Sequence, residues 1–112
     1  MTGKTPQRSR PRQGGTYLCE GLKQQGDDKR RPVVIISENI RNDHSRTVLV
    51  VPITSDLDAC KGNPARIFVS RGEGGLDKDS YISCDLISTV LVKNLVQGLF
   101  GSVSKAILTE MQ

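Results

Sequence analysis

Apolar residues along this chain come in short, β-branched runs separated by polar turns. Residues 32–37 (PVVIIS) form one run without alternation, which suits a strand buried on both faces. Residues 47–53 (TVLVVPI) form a second. Pro52 has no N–H to give a ladder, so this strand is expected to end there or to lie at a sheet edge. Residues 15–22 alternate weakly, with Tyr17 and Cys19 on one side. Residues 66–70 (RIFVS) alternate, and residues 81–87 (YISCDLI) alternate with Tyr81, Ser83, Asp85 and Ile87 on one side. Residues 94–100 supply a sixth short strand. Between these runs lie GDDKRR, ENIRNDHSR, SDLDACKGNP and RGEGG, rich in the residues that make turns. The spacings leave no room for crossover helices, so the pattern predicts an antiparallel barrel or sandwich. The C-terminus differs. Ser104 is a good N-cap for a short helix carrying Ile107, Leu108 and Met111, which must dock its apolar face on the sheet to persist.

With 112 residues, 36% of them hydrophobic, the chain supports one small domain. Its core should be marginal alone, which favours a homodimer. The net charge of +4 resides in residues 1–13, through Lys4, Arg8, Arg10 and Arg12; the rest is neutral. That segment has two prolines and almost no apolar side chains, so it reads as a flexible basic arm, either phosphate-binding or simply solvated. Residues 14–112 then form the domain. The longest apolar run is too short to span a bilayer, and no apolar stretch follows the N-terminal charges. Three scattered cysteines make neither a disulfide framework nor a CxxC site, consistent with a cytosolic protein with reduced thiols. Aromatics are 4% and Trp is absent, which leaves little for stacking several bases.

Candidate chemistry is sparse. The single histidine, His44, sits in a polar loop without a second ligand at metal spacing, so it reads as a solvated residue, and no metal or cofactor is expected. A serine or cysteine nucleophile would also need His44, and neither signature is present. What remains is a basic turn, Lys29, Arg30 and Arg31, before one strand, and Thr54 and Ser55 after the next. If those strands are antiparallel neighbours, Arg31 begins one beside the end of the other, and a guanidinium and a hydroxyl meet at one rim. Such a pair can bind a phosphodiester. The same residues also fit a solvated charge run and a strand-end cap.

The order of RRPVVIIS, VVPITS, GGLDKDSYISCDLIST and GSVSKAILTEM resembles the MazF/PemK family of toxin ribonucleases over roughly residues 14–112. The family shows R-P-V-x-V-x-S, a strand ending P-x-T-[TS], a G-L-x-x-D-S hairpin, an acid followed by Q-x-R-T, and G-x-L-S before a final helix. The resemblance implies a mainly β fold with a C-terminal helix, a small SH3-like antiparallel barrel of the MazF/CcdB type, usually a homodimer. It implies metal-independent, sequence-selective cleavage of single-stranded RNA and neutralisation by a cognate antitoxin. On it, Arg31 falls on the catalytic arginine, Thr54 on the catalytic threonine, and Asp85 on an acid that some members use. Ser55 matches a polar neighbour, and Lys29 and Arg30 become RNA-binding candidates. There are departures. Leu22 and Lys23 stand where His and Glu are usual, in a longer loop. Leu86 replaces a glutamine, Ser88 an arginine, and Gly15 an acid. The Arg–Thr pair survives them; a histidine-dependent mechanism does not.

In RNA the 2′-hydroxyl is the nucleophile, so the protein needs only to align the attack, stabilise the phosphorane and assist the leaving group. Arg31, with its planar cationic fork, suits the charge and the leaving group; Thr54 suits a nonbridging oxygen. Asp85 would accept the 2′-hydroxyl proton or anchor Arg31. The products implied are a 2′,3′-cyclic phosphate and a 5′-hydroxyl. Two other functions fit the same fold: a CcdB-like gyrase inhibitor, against which the non-aromatic ending ThrGluMetGln argues, and a non-catalytic RNA-binding barrel.

Overall fold

Val33, Val34 and Ile35 are all fully buried, and successive residues of this strand face opposite sides of a sheet that is covered on both faces. Val33 and Ile35 join Tyr17, Cys19, Leu22, Val48, Val50, Val90 and Leu95 in one core. Val34 joins Val51, Ile53, Ile67, Val69, Ile82 and Val103 in the other. The computed structural model describes residues 10–22 and 30–111. Its strands are β1 (Gly15–Cys19), β2 (Arg31–Ile35), β3 (Thr47–Thr54), β4 (Arg66–Val69), β5 (Ser80–Ser83), β6 (Ser88–Leu91) and β7 (Leu95–Ser102). Every pairing is antiparallel. The order is β4-β5-β3-β2-β1-β7, with β6 also beside β3. Mainly antiparallel β structure with a C-terminal helix is therefore as expected. The strand path runs open from β4 to β7 and does not close into a full barrel among the described residues.

Three local expectations change. Strand β3 does not stop at Pro52. Its edge changes partner there: β6 pairs with Thr47 through Val50, β5 with Ile53 and Thr54, and Pro52 lies in the gap between the two ladders. The alternation through residues 81–87 spans two features, because β5 ends at Ser83, a turn follows, and β6 is a seventh strand. The segment ENIRNDHSR contains a helix, α1 (Asn39–His44), rather than a plain turn. Buried Asn42 holds it: its Nδ2 donates to the Ser37 carbonyl at 3.0 Å, and its Oδ1 accepts from the Ser37 hydroxyl. A side-chain network of this kind does not register in hydrophobic periodicity. His44 ends α1 exposed to solvent.

A one-turn helix, α2 (Leu57–Cys60), follows β3. The C-terminal helix α3 (Lys105–Met111) is capped as expected, with Ile107 N–H donating to Ser104 Oγ at 3.3 Å. Its Ile107, Leu108 and Met111 pack on the second core. Residues 1–9 of the expected arm lie outside the described residues. Residues 10–13 are docked on and around α1. Arg10 donates to the carbonyls of Asn42 and Ser45, Arg12 pairs with Asp43 at 2.9 Å, and the Gln13 N–H donates to Asn39 Oδ1. No helix among the described residues is long and apolar enough to cross a membrane.

Candidate active site

Strands β2 and β3 pair Val33 with Pro52, Val34 with Val51 and Ile35 with Val50. Continued two residues along, that register sets Arg31 opposite Thr54. Directly opposed residues of an antiparallel pair project to the same face. The guanidinium at the start of β2 and the hydroxyl at the end of β3 therefore share one rim, as the sequence order suggested. Both line a cavity of about 280 Å³, whose other walls are Pro32, Ile53, Ser55, Leu76, Asp77, Lys78 and Ser80.

Two cations, Arg31 and Lys78, face one carboxylate, Asp77, among these lining residues. The balance favours an anion. Thr54 Oγ1 accepts the Asp56 N–H at 3.1 Å, which orients the hydroxyl and leaves its hydrogen to be donated outward. The wall made by residues 76–80 is held from behind. The Asp79 carboxylate accepts the Arg71 N–H at 2.8 Å, and Ser80 Oγ donates to the Lys78 carbonyl at 3.0 Å. At the root of this loop, Gly74 sits under Thr16, whose buried hydroxyl donates to the Gly74 carbonyl. Gly75, at φ +77°, lies so close to Phe100 that a Cβ would be 2.2 Å from its carbonyl oxygen. The Gly-Gly pair thus lets the hairpin approach β7 and aims its next residues at the cavity.

Cys19 pairs with Arg31 on the β1 side. Burial, and secondarily the Glu20 charge, pushes its thiol up to about 11, so it stays protonated and apolar beside the arginine. Arg30 points elsewhere: it is exposed, 3.7 Å from Glu20, and does not line the cavity. Lys29 lies outside the described residues. Ser55 is at the rim, exposed.

Asp85 departs from the expectation. It lies past the end of β5 and takes a two-pronged contact from Arg66, Nε to Oδ1 at 2.8 Å and Nη2 to Oδ2 at 3.3 Å. The remaining Arg66 nitrogen, Nη1, reaches Cys60 Sγ at 3.1 Å, tying α2 to the sheet. Hydrogen bonding from Arg66 holds the Asp85 carboxyl below the usual carboxylate range. Asp85 does not line the cavity, and its anchor is Arg66 rather than Arg31. The break in the strand after Ser83 is the reason, since it ends the alternation that would have carried Asp85 along β5. Sequence reasoning passed over Asp77, Lys78 and Ser80. The available signal was their position in GGLDKDS, which leads into the strand that pairs with Thr54 and whose last residue, Ser80, begins it.

A second cavity, about 160 Å³, lies between α3 and the sheet, lined by Gln13, Ile36, Val51, Cys84, Ile87, Leu108 and Met111. Among the described residues that line it there is no cation. Among the described residues no three His, Cys, Asp or Glu side chains gather as a metal site.

Residues 12–112 match the sequence profile of the PemK-like, MazF-like toxins of type II toxin–antitoxin systems. The chain is 37% identical over 99 residues to an endoribonuclease MazF from Staphylococcus epidermidis, covering 86% of this chain and 82% of that one. Among solved structures it is similar to the Mycobacterium tuberculosis toxin MazF-mt6, with TM-score 0.71, 25% identity and 87% of each chain covered. It is also similar to a mycobacterial endoribonuclease in complex with its cognate antitoxin, with TM-score 0.73 and 24% identity over 90% of this chain and 86% of that one.

Proposed function

The chain belongs to the PemK-like, MazF-like toxin family, and from that premise we propose that it is an endoribonuclease that cuts single-stranded RNA by attack of the 2′-hydroxyl on the adjacent phosphate. The observation that carries this reading is the opposition of Arg31 and Thr54 across β2 and β3 at the mouth of one cation-bearing cavity. Arg31 presents a planar fork to the phosphate and supports the charge that grows on its nonbridging oxygens. Thr54, held by the Asp56 N–H, donates to one of those oxygens. Lys78 adds a second positive charge at the wall. The carboxylate lining the same cavity is Asp77, and we assign it, rather than Asp85, as acceptor of the 2′-hydroxyl proton. The 5′-oxygen leaves with a hydrogen bond from Arg31 and takes its proton from water at the open mouth of the cavity. The products are a 2′,3′-cyclic phosphate and a 5′-hydroxyl. Ser55 at the rim contacts the RNA beyond the scissile phosphate.

No protein nucleophile and no metal enter this scheme. A mycobacterial relative is solved in complex with its cognate antitoxin, and the reading extends to this chain's neutralisation by an antitoxin of its own; action in the cytoplasm as a homodimer is part of the same proposal, supported by the free cysteines and the small core. Incubating the purified protein with a long RNA in EDTA tests the proposal. Discrete fragments ending in cyclic phosphate are expected. Intact RNA in EDTA, with cleavage appearing only on addition of magnesium, would overturn the scheme.

A further inference from the structure

The sheet row that begins at Arg31 and Thr54 does not end there. Thr54 pairs with Tyr81 of β5, and Tyr81 pairs with Phe68 of β4. Opposed residues share a face, so Arg31, Thr54, Tyr81 and Phe68 form one line across four strands. The neighbouring row, Ile53, Ile82 and Ile67, points the other way into the core. Tyr81 and Phe68 are therefore not core residues. Phe68 is 48% exposed and Tyr81 half-buried. Their rings meet edge to face, with centroids 5.5 Å apart and planes at 73°. That geometry fixes both rings while leaving aromatic surface open.

We propose that Tyr81 and Phe68 form a stacking platform for a nucleobase next to the phosphate held at Arg31 and Thr54. The inference rests on the ribonuclease reading above and adds a base subsite to it. Three features favour a base over other occupants. Strand spacing puts Tyr81 ~5 Å and Phe68 ~10 Å from Thr54, within reach of a base attached to or following that phosphate. The platform continues the sheet row that carries Arg31 and Thr54, two of the residues lining the cationic cavity, so one strand of RNA can pass from that pair to the rings. The chain has only two Tyr and two Phe, and one of them, Tyr17, is in the core, so half its aromatic side chains lie in this line. Single-stranded RNA is recognised chiefly by stacking of unpaired bases on such rings.

The test uses the Trp-free character of the protein. Phe68→Trp introduces one indole at the platform. Titration with 2′-O-methyl oligonucleotides tiling the long RNA should quench it saturably for at least one tile. Phe68→Leu, which keeps an apolar group but no ring face, should raise KM for RNA about tenfold with kcat nearly unchanged. Phe68→Trp and Tyr81→Phe should keep near wild-type KM. If the wild type cuts RNA and Phe68→Leu cuts it with unchanged KM, the platform is refuted while the ribonuclease reading stands. If the wild type cuts nothing, that reading fails, and absence of quenching in Phe68→Trp refutes the platform separately. A Phe68→Leu variant that sediments as monomer with unaltered KM would make this surface a protein interface, and the inference would be wrong.

Discussion

Replacing Asp85 by Asn distinguishes an anchor from a general base. The carboxylate holds Arg66 with two hydrogen bonds, 2.8 and 3.3 Å long. Its side chain is 37% exposed, so solvent screens the pair. A surface pair of this kind contributes ~0.2–1 kcal/mol. Asn keeps one acceptor for Arg66 and nearly the same shape. The expected loss in urea unfolding is therefore below ~1 kcal/mol. The pH dependence has a defined sign. The folded Asp85 carboxyl titrates below its unfolded value, so its contribution is complete above the unfolded value of ~3.9 and disappears as the pH falls through the folded one. Wild type and variant should thus converge in stability in acid and differ by a constant amount at neutral pH. Single-turnover cleavage at pH 7 should be unchanged within about threefold. Loss of a general base would instead cost ~10²–10⁴-fold. A fully folded Asp85→Asn protein slowed a hundredfold, with an altered acid limb in its pH–rate profile, would refute the assignment of Asp85 to Arg66 and restore it as the proton acceptor.

Gly75→Ala should destabilise the fold by more than ~2 kcal/mol, because it combines a positive φ with a backbone clash at Phe100. Gly62→Ala, at φ +80° with nothing within 4 Å, isolates the φ component, and equal losses in urea midpoint for the two would show that the approach to Phe100 is unimportant. Deleting residues 1–9 removes Lys4 and Arg8 but spares the docked Arg10 and Arg12. The salt dependence of RNA binding should become shallower, with cleavage at saturating RNA unchanged; an identical slope would assign the segment no contact with phosphate.

Much of this architecture is written in the pattern of residues. The run Val33, Val34, Ile35 lacks alternation because each face of β2 meets its own core, and that alone placed the strand centrally. The Arg31–Thr54 meeting followed from strand order and antiparallel geometry, which are local properties. The partner of Asp85 was not legible, for a reason that is not local. Alternation continues in the letters from Tyr81 to Ile87, while the backbone turns after Ser83, and Arg66 on the neighbouring strand captures the carboxylate. Helix α1 escaped notice because a Ser37–Asn42 network holds it rather than an apolar stripe. Nothing in the local pattern separates Lys78 and Asp77 from other polar loop residues, and the close approach of Gly75 to Phe100 shows why their hairpin forms a wall of the cavity. The Phe68–Tyr81 line required the register of three strands at once.

The central claim is that Arg31 and Thr54 act together on a phosphodiester. Its most direct test is single-turnover cleavage in EDTA by Arg31→Ala, Arg31→Lys and Thr54→Val, with Arg30→Ala as control and folding verified by circular dichroism. Removing one well-placed electrostatic group costs ~3–4 kcal/mol, about two to three orders of magnitude in rate. Arg31→Ala should fall by at least that much, and Arg31→Lys should recover little of it, since an ammonium cannot form the two-pronged contact. Thr54→Val keeps the β-branched shape at the end of β3 and should slow the reaction while remaining folded. Arg30→Ala, exposed beside Glu20, should cleave at close to the wild-type rate. Folded Arg31→Ala and Thr54→Val proteins that cut RNA as fast as the wild type would contradict the account.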